Sequence, residues 1–128
     1  AINDAGIPLE ESQDIDAHAT STPVGDLNEA KAIAEVFGNH RPYVTSTKSQ
    51  TGHEMWMAGA SEVIYSILMM NNGFIAPNLN FEEPDEASAL LNIPSRRIET
   101  EFDTFLSNSF GFGGTNSSLI IRKFKENN

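Results

Sequence analysis

Glu54-Met55-Trp56-Met57-Ala58-Gly59-Ala60-Ser61-Glu62-Val63-Ile64-Tyr65-Ser66-Ile67-Leu68-Met69-Met70-Asn71 is the stretch on which the fold turns. Apolar side chains point in nearly every direction around a helix drawn through it. A helix that is apolar all round is buried, in protein or in lipid. The uninterrupted apolar runs are too short for a membrane span, and Glu62 sits in the middle. The stretch therefore predicts a central, buried helix of a layered protein. With only 128 residues in the chain, a single layer of neighbours is too little to cover it on all sides. That predicts an apolar face left for further chain or a partner subunit.

Upstream, Tyr43–Thr47 is a β-rich run followed by a loop, Lys48-Ser49-Gln50-Thr51-Gly52-His53, which puts His53 at the start of the central helix. Before it, Leu27–Phe37 reads as a helix, with Asp26 as N-cap, Glu29 three residues on, and Leu27, Ala30, Ile33, Ala34 and Phe37 on one face. Asn39-His40-Arg41-Pro42 breaks that helix, and His40 is assigned to an exposed loop. Asp14–His18 is a short strand candidate that runs into a loop of hydroxyls, Pro23 and Gly25. The opening Ala1–Gly6 reads as the end of a helix stopped by Gly6 and Pro8, as expected of a piece of a longer chain. Downstream, 73–77 end the central helix, 85–91 form a short helical stretch and Arg96–Glu101 a polar connection. Asp103–Asn108 and Ser117–Phe124 are strands joined by Phe110–Asn116. The order β-α-β-α-(short α)-β-β predicts an α/β sheet ending in an antiparallel hairpin.

Composition narrows the function. A net charge of −10 argues against a nucleic-acid partner, and the one basic cluster, Arg122, Lys123 and Lys125, reads as a solvated tail. The chain contains no cysteine, so it holds no disulfide, thiolate metal site or cysteine nucleophile of its own.

Three polar clusters interrupt the strand ends: His18 with Thr20 and Thr22, Lys48 with His53, and the glycine-rich 111–116 turn. Ligand sites of open α/β sheets gather where strands end, so His18 and Lys48 are expected to share a crevice. At a helix start, the positive end of the helix disfavours the imidazolium of His53. A neutral ring keeps one N–H to donate to a developing oxyanion or enolate. Buried Glu62 needs a partner, and Lys48 is the natural one. Taken singly, each residue has a plainer reading: a structural histidine, a solvated lysine, core aromatics at Phe110 and Phe112. The glycine-rich turn alone is not a dinucleotide fingerprint, because a strand follows it. A metal-binding domain using His18, His53 and Glu62, a ligand set that could suit zinc, is an alternative reading.

Taken together, His18-Ala19-Thr20-Ser21-Thr22-Pro23-Val24-Gly25-Asp26, Lys48–His53 and Ser107–Asn116 resemble the β-ketoacyl-acyl carrier protein synthase I/II family, with compatible spacing from Ala1 to Phe124. The resemblance implies a thiolase-like fold, with residues 1–128 as its C-terminal domain. That domain would lack its opening elements and the N-terminal half, which carries the nucleophilic cysteine. It implies decarboxylative Claisen condensation of malonyl-carrier protein with an acyl thioester, in fatty-acid or related polyketide or polyene synthesis. It further implies a cytoplasmic homodimer, acyl carrier protein as partner, and substrates on a phosphopantetheine arm with no bound cofactor or metal. His18 and His53 match the two family histidines, Lys48 the lysine and Glu62 its acidic partner. Thr20 and Thr22 match pantetheine-binding hydroxyls. Phe112 matches a gating phenylalanine whose N–H joins the oxyanion hole, with Gly111 and Gly113 permitting its movement. A non-catalytic chain-length-factor homologue is the alternative within the family. Two stretches depart from the pattern: Ala19 replaces the usual glycine, and in Glu54-Met55-Trp56-Met57, where small residues are usual, Trp56 and Met57 add bulk.

Overall fold

The computed structural model describes residues 1–125. Strand β1, Asp14–Asp16, lies between β2, Tyr43–Thr45, and β5, Thr104–Gly111, and is parallel to both. The hairpin partner of β5 is β6, Thr115–Arg122, giving a mixed four-stranded sheet in the order β2-β1-β5-β6. One face is covered by α2, Pro23–Phe37, and the other by α4, Ala58–Asn72. Shorter pieces are α1, Ile2–Ala5, stopped by Gly6 in the left-handed conformation, and α3, Lys48–Thr51.

Strand side chains alternate between the two faces. Ile15, paired with Val44 and Leu106, faces α2 and meets Ile33 and Phe37. On the α4 side, Phe105 packs with Met69, Met70, Ile75 and Phe102. Asp14 and Asp16 share that side by alternation and are fully out of solvent, although carboxylates there have no apolar match.

Several boundaries differ from the sequence expectation. Helix α2 starts at Pro23, not Leu27, and its N-cap is Thr22 rather than Asp26. A proline at the first helical position gives up an N–H that has no helical partner anyway. Asp26 falls in the first turn, and a Cβ on Gly25 would lie 2.4 Å from Thr22 Oγ1, so a larger residue there would require the Thr22 hydroxyl to turn away. The expected loop Lys48–His53 contains the four-residue helix α3. The helical stretch at 85–91 is a single 3₁₀ turn, Ser88–Leu90. The supposed connection Arg96–Glu101 contains β4, Ile98–Glu99, which pairs antiparallel with β3, Phe74–Ile75. His40 is half-buried and structural, its Nε2 lying 3.1 Å from the Ser12 carbonyl oxygen.

The central helix also departs from the expected all-round burial. Ala58, Ser61, Glu62, Ser66, Met69 and Met70 are buried, whereas Ile64 and Leu68 are 56% and 51% exposed. It lies over β1 and β5 with one side open. Among the described residues no helix is long and apolar enough to cross a membrane.

Candidate functional site

Because β1, β2 and β5 run parallel, their C-terminal ends release three loops at one edge of the sheet. Those loops carry His18, Lys48 to His53, and the 111–116 turn. The rings of His18 and His53 meet edge to face, with centroids 5.6 Å apart. The two histidines that the sequence separates by 35 positions thus form one pair.

The loop of His18 is held from below by Glu29. Its carboxylate, 6% exposed on α2, accepts the His18 N–H at 3.0 Å and the Ala19 N–H at 2.9 Å. It also accepts the side-chain amide of Asn108 at 3.1 Å, and Asn108 in turn accepts the Ser118 hydroxyl. Three donors satisfy a carboxylate that burial alone would penalise. A second tie joins the loops directly, the Ser46 hydroxyl donating to the Ala19 carbonyl. Asn78 accepts the Ser46 N–H and donates to the Val44 and Pro94 carbonyls, which fixes the end of β2.

Lys48 forms a buried ion pair with Glu62 of α4, the side chains being 6% and 3% exposed. Burial raises the Glu62 pKa while its bond to Lys48 opposes the rise. The His18 pKa is lowered, first by burial and then by the positive charges of Lys48 and His53. His18 is accordingly a neutral ring near pH 7.

The geometry replaces the helix-end account of His53. Helix α4 begins at Ala58, and a 3₁₀ turn, Met55–Met57, separates it from the histidine. A helix terminus acts only over its first turn, so His53 is beyond its reach. The ring is set instead by the Met55 N–H, which donates to His53 Nδ1 at 3.1 Å. With Nδ1 accepting, the proton of a neutral ring sits on Nε2, ready to be donated. The turn that makes this bond holds Met55 at φ 58°, left-handed backbone that costs a non-glycine residue on the order of 1 kcal/mol.

Other expected residues are less gathered. Thr20 lines a crevice of about 490 Å³ together with Lys48, His53, Glu29 and Asn78. Thr22 is exposed, its hydroxyl 3.2 Å from that of Thr20. Phe112 is fully exposed at the tip of the β5–β6 hairpin, where Gly113 and Gly114 take positive φ values. Gly111 ends β5, and a Cβ there would lie 3.4 Å from the Thr115 carbonyl oxygen. The aromatic ring against His18 is Phe110, centroid to centroid 5.5 Å, a residue the sequence reading assigned to the core. Glu29 was the other residue missed: its Asp-x-x-Glu spacing reads as a capping box, and its true donors are distant in sequence. Among the described residues no group of three His, Asp or Glu side chains is arranged to hold a metal ion. Glu62 is turned to Lys48 through Oε1.

Residues 1–82 match the family model described as "Beta-ketoacyl synthase, C-terminal domain". The chain is 53% identical over 112 residues to 3-oxoacyl-[acyl-carrier-protein] synthase 1 of Escherichia coli (strain K12), covering 88% of this chain and 28% of that one. Among solved structures it resembles the ishigamide ketosynthase/chain length factor at a TM-score of 0.92 and 36% identity, covering 98% of this chain and 31% of that one. It also resembles one chain of a structure described as a type II PKS acyl-carrier protein in complex with its ketosynthase bound to the hexaketide, at a TM-score of 0.90 and 32% identity, covering 98% of this chain and 31% of that one. The chain thus spans less than a third of the length of these relatives.

Proposed function

The chain belongs to the β-ketoacyl synthase family, whose C-terminal domain it matches, and on that premise we propose that it supplies the decarboxylation side of a 3-oxoacyl-[acyl-carrier-protein] synthase. In this reading residues 1–128 are the C-terminal thiolase-like domain. A preceding half would bring the cysteine that carries the acyl chain, in a cytoplasmic homodimer served by acyl carrier protein. The relatives' names and the ketosynthase complex with a carrier protein support the substrate class.

The observation that carries the reading is the His18–His53 pair, with His53 Nδ1 already engaged by a backbone N–H. A malonyl thioester loses CO2 when the C–C bond to its carboxylate breaks and the electron pair moves toward the thioester oxygen. The enolate formed needs donors in place before its charge develops. His53 Nε2–H is one, and the neutral ring of His18 is the other. Neither has to give up its proton. The resulting carbanion then attacks the acyl thioester, expelling the cysteine thiolate. Lys48 and Glu62 hold the floor of the site, Thr20 and Thr22 offer hydroxyls to the pantetheine arm, and Phe112 with Gly111 and Gly113 forms the movable side.

Titrating malonyl-pantetheine into the chain tests this. The ring signals of His18 and His53 should shift together in NMR spectra while His40, tied to Ser12, stays put. A shift of His40 alone, or of none of the three, would refute the site. A stoichiometric, tightly held zinc ion would contradict it as well.

A further inference from the structure

The orientation of His53 is not explained by its own segment. Gly52 at φ 76° and Met55 at φ 58° bracket it, so the backbone reverses on both sides of the ring. The segment lies between α3 and α4, its carbonyl at Met55 accepting the N–H of Ala58 at the start of α4, while the 3₁₀ contact from the Met57 N–H to the Glu54 carbonyl is long at 3.4 Å, and neither bond involves the Met55 N–H. Something else must keep the Met55 N–H against Nδ1.

Glu54 adjoins both residues of that bond, and its Oε1 accepts the hydroxyl of Tyr65 on α4 at 2.9 Å. Tyr65 sits two turns into α4, an element anchored by the buried Lys48–Glu62 pair and by Met69 and Met70. We propose that Tyr65 and Glu54 are positioning residues for His53, a tether from the rigid helix that holds the strained turn and thereby keeps Nε2 as the protonated nitrogen. The inference rests on the reading of His53 as an enolate donor, and neither residue touches substrate. The local chemistry agrees with it. Hydroxyls of Ser61 and Tyr65 keep the Glu54 carboxyl below the usual carboxylate range. The Tyr65 hydroxyl, donating to that carboxylate, is raised above its own. Near neutral pH the pair is therefore a carboxylate and a phenol, the states the bond requires. Glu54 directly follows the histidine, so any slack in its side chain passes into the turn within one residue.

Long-range proton–nitrogen NMR of the imidazoles in the labelled chain reads the tautomer directly. The wild-type chain should show His53 with Nδ1 bare and Nε2 protonated. Tyr65→Phe, which keeps the ring and removes the donor, should move both nitrogens toward averaged values and weaken malonyl-pantetheine binding several-fold. Glu54→Ala should do the same, and Glu54→Gln, which still offers an oxygen to Tyr65, should restore the wild-type pattern. An unchanged His53 tautomer in both Tyr65→Phe and Glu54→Ala, with His40 signals intact as the folding control, overturns the tether. Failure of malonyl-pantetheine to shift the wild-type rings overturns the functional reading instead, and the two results are read from different spectra.

Discussion

Asp16 ends β1 two residues before His18, with no exposure to solvent and one carboxylate oxygen 2.8 Å from the Ser107 hydroxyl. Burial, opposed by that hydroxyl and then reinforced by the charge of Glu62, pushes its pKa from 3.8 up to about 7. Asp14 moves in the same direction, from burial and then from the charge of Asp16. The folded chain therefore binds protons more tightly than the unfolded one between pH ~4 and ~7, and stability falls as pH rises through that window. The contribution is fully present below the unfolded pKa and gone above the folded one. Asp16→Asn, which still accepts the Ser107 hydroxyl, should flatten the slope and stabilise the chain at pH 8 by an amount on the order of a few kcal/mol. Urea unfolding at pH 5 and pH 8 measures both effects, and an unchanged slope would show that Asp16 is not the group. Glu29 makes the opposite case, an acid whose three donors would be stranded. Glu29→Ala should cost about 3 kcal/mol and broaden the His18 signals, while Glu29→Gln should cost less because one oxygen remains to accept.

On the scale of elements, α4 shows what hydropathy can and cannot say. Met69 and Met70 point into the core and Ile64 and Leu68 point outward, yet nothing in their chemistry tells them apart. Ala60, Ile64 and Leu68, spaced by four on α4, make an exposed apolar stripe, and Trp56 in the turn before the helix is fully exposed. Such a stripe should drive self-association of the chain. Light scattering should show concentration-dependent oligomers that Ile64→Glu with Leu68→Lys abolishes, while unfolding free energy changes by only about 0.5 kcal/mol, as at exposed sites. A wild-type chain that stays monomeric at high concentration would count against the stripe. The parts of the fold legible in sequence were those with a local signal: the apolar helix, the β-rich run ending at Lys48, the glycine-rich hairpin. Positive φ at Met55 had none, since glycine or asparagine usually marks it, so His53 was read onto the helix start. The two-residue strands at Phe74 and Ile98 are too short to show alternation. Glu29 could be recognised only through partners 10, 11 and 79 positions away.

At the scale of the molecule, the parallel arrangement of β1, β2 and β5 does the assembling. It delivers two histidines, a lysine and a glycine-rich turn to one edge from segments spread over most of the chain. What reaches that edge is a set of donors and hydroxyls, with no thiol, because the chain has no cysteine. Condensation needs a nucleophile to hold the acyl group as well as donors to hold an enolate, and effective catalysis needs the two within reach of each other. Among the described residues no serine or threonine hydroxyl is hydrogen-bonded to the basic groups of that edge: His18 and His53 face each other, His18 also meets Phe110, and Lys48 is committed to Glu62. The purified chain given malonyl- and acyl-carrier protein should therefore release no 3-oxoacyl product, even where malonyl-pantetheine shifts both histidines. Product formation, followed by mass spectrometry of the carrier protein, would mean that a hydroxyl of this chain serves as nucleophile and that the division of labour argued from the two histidines is wrong.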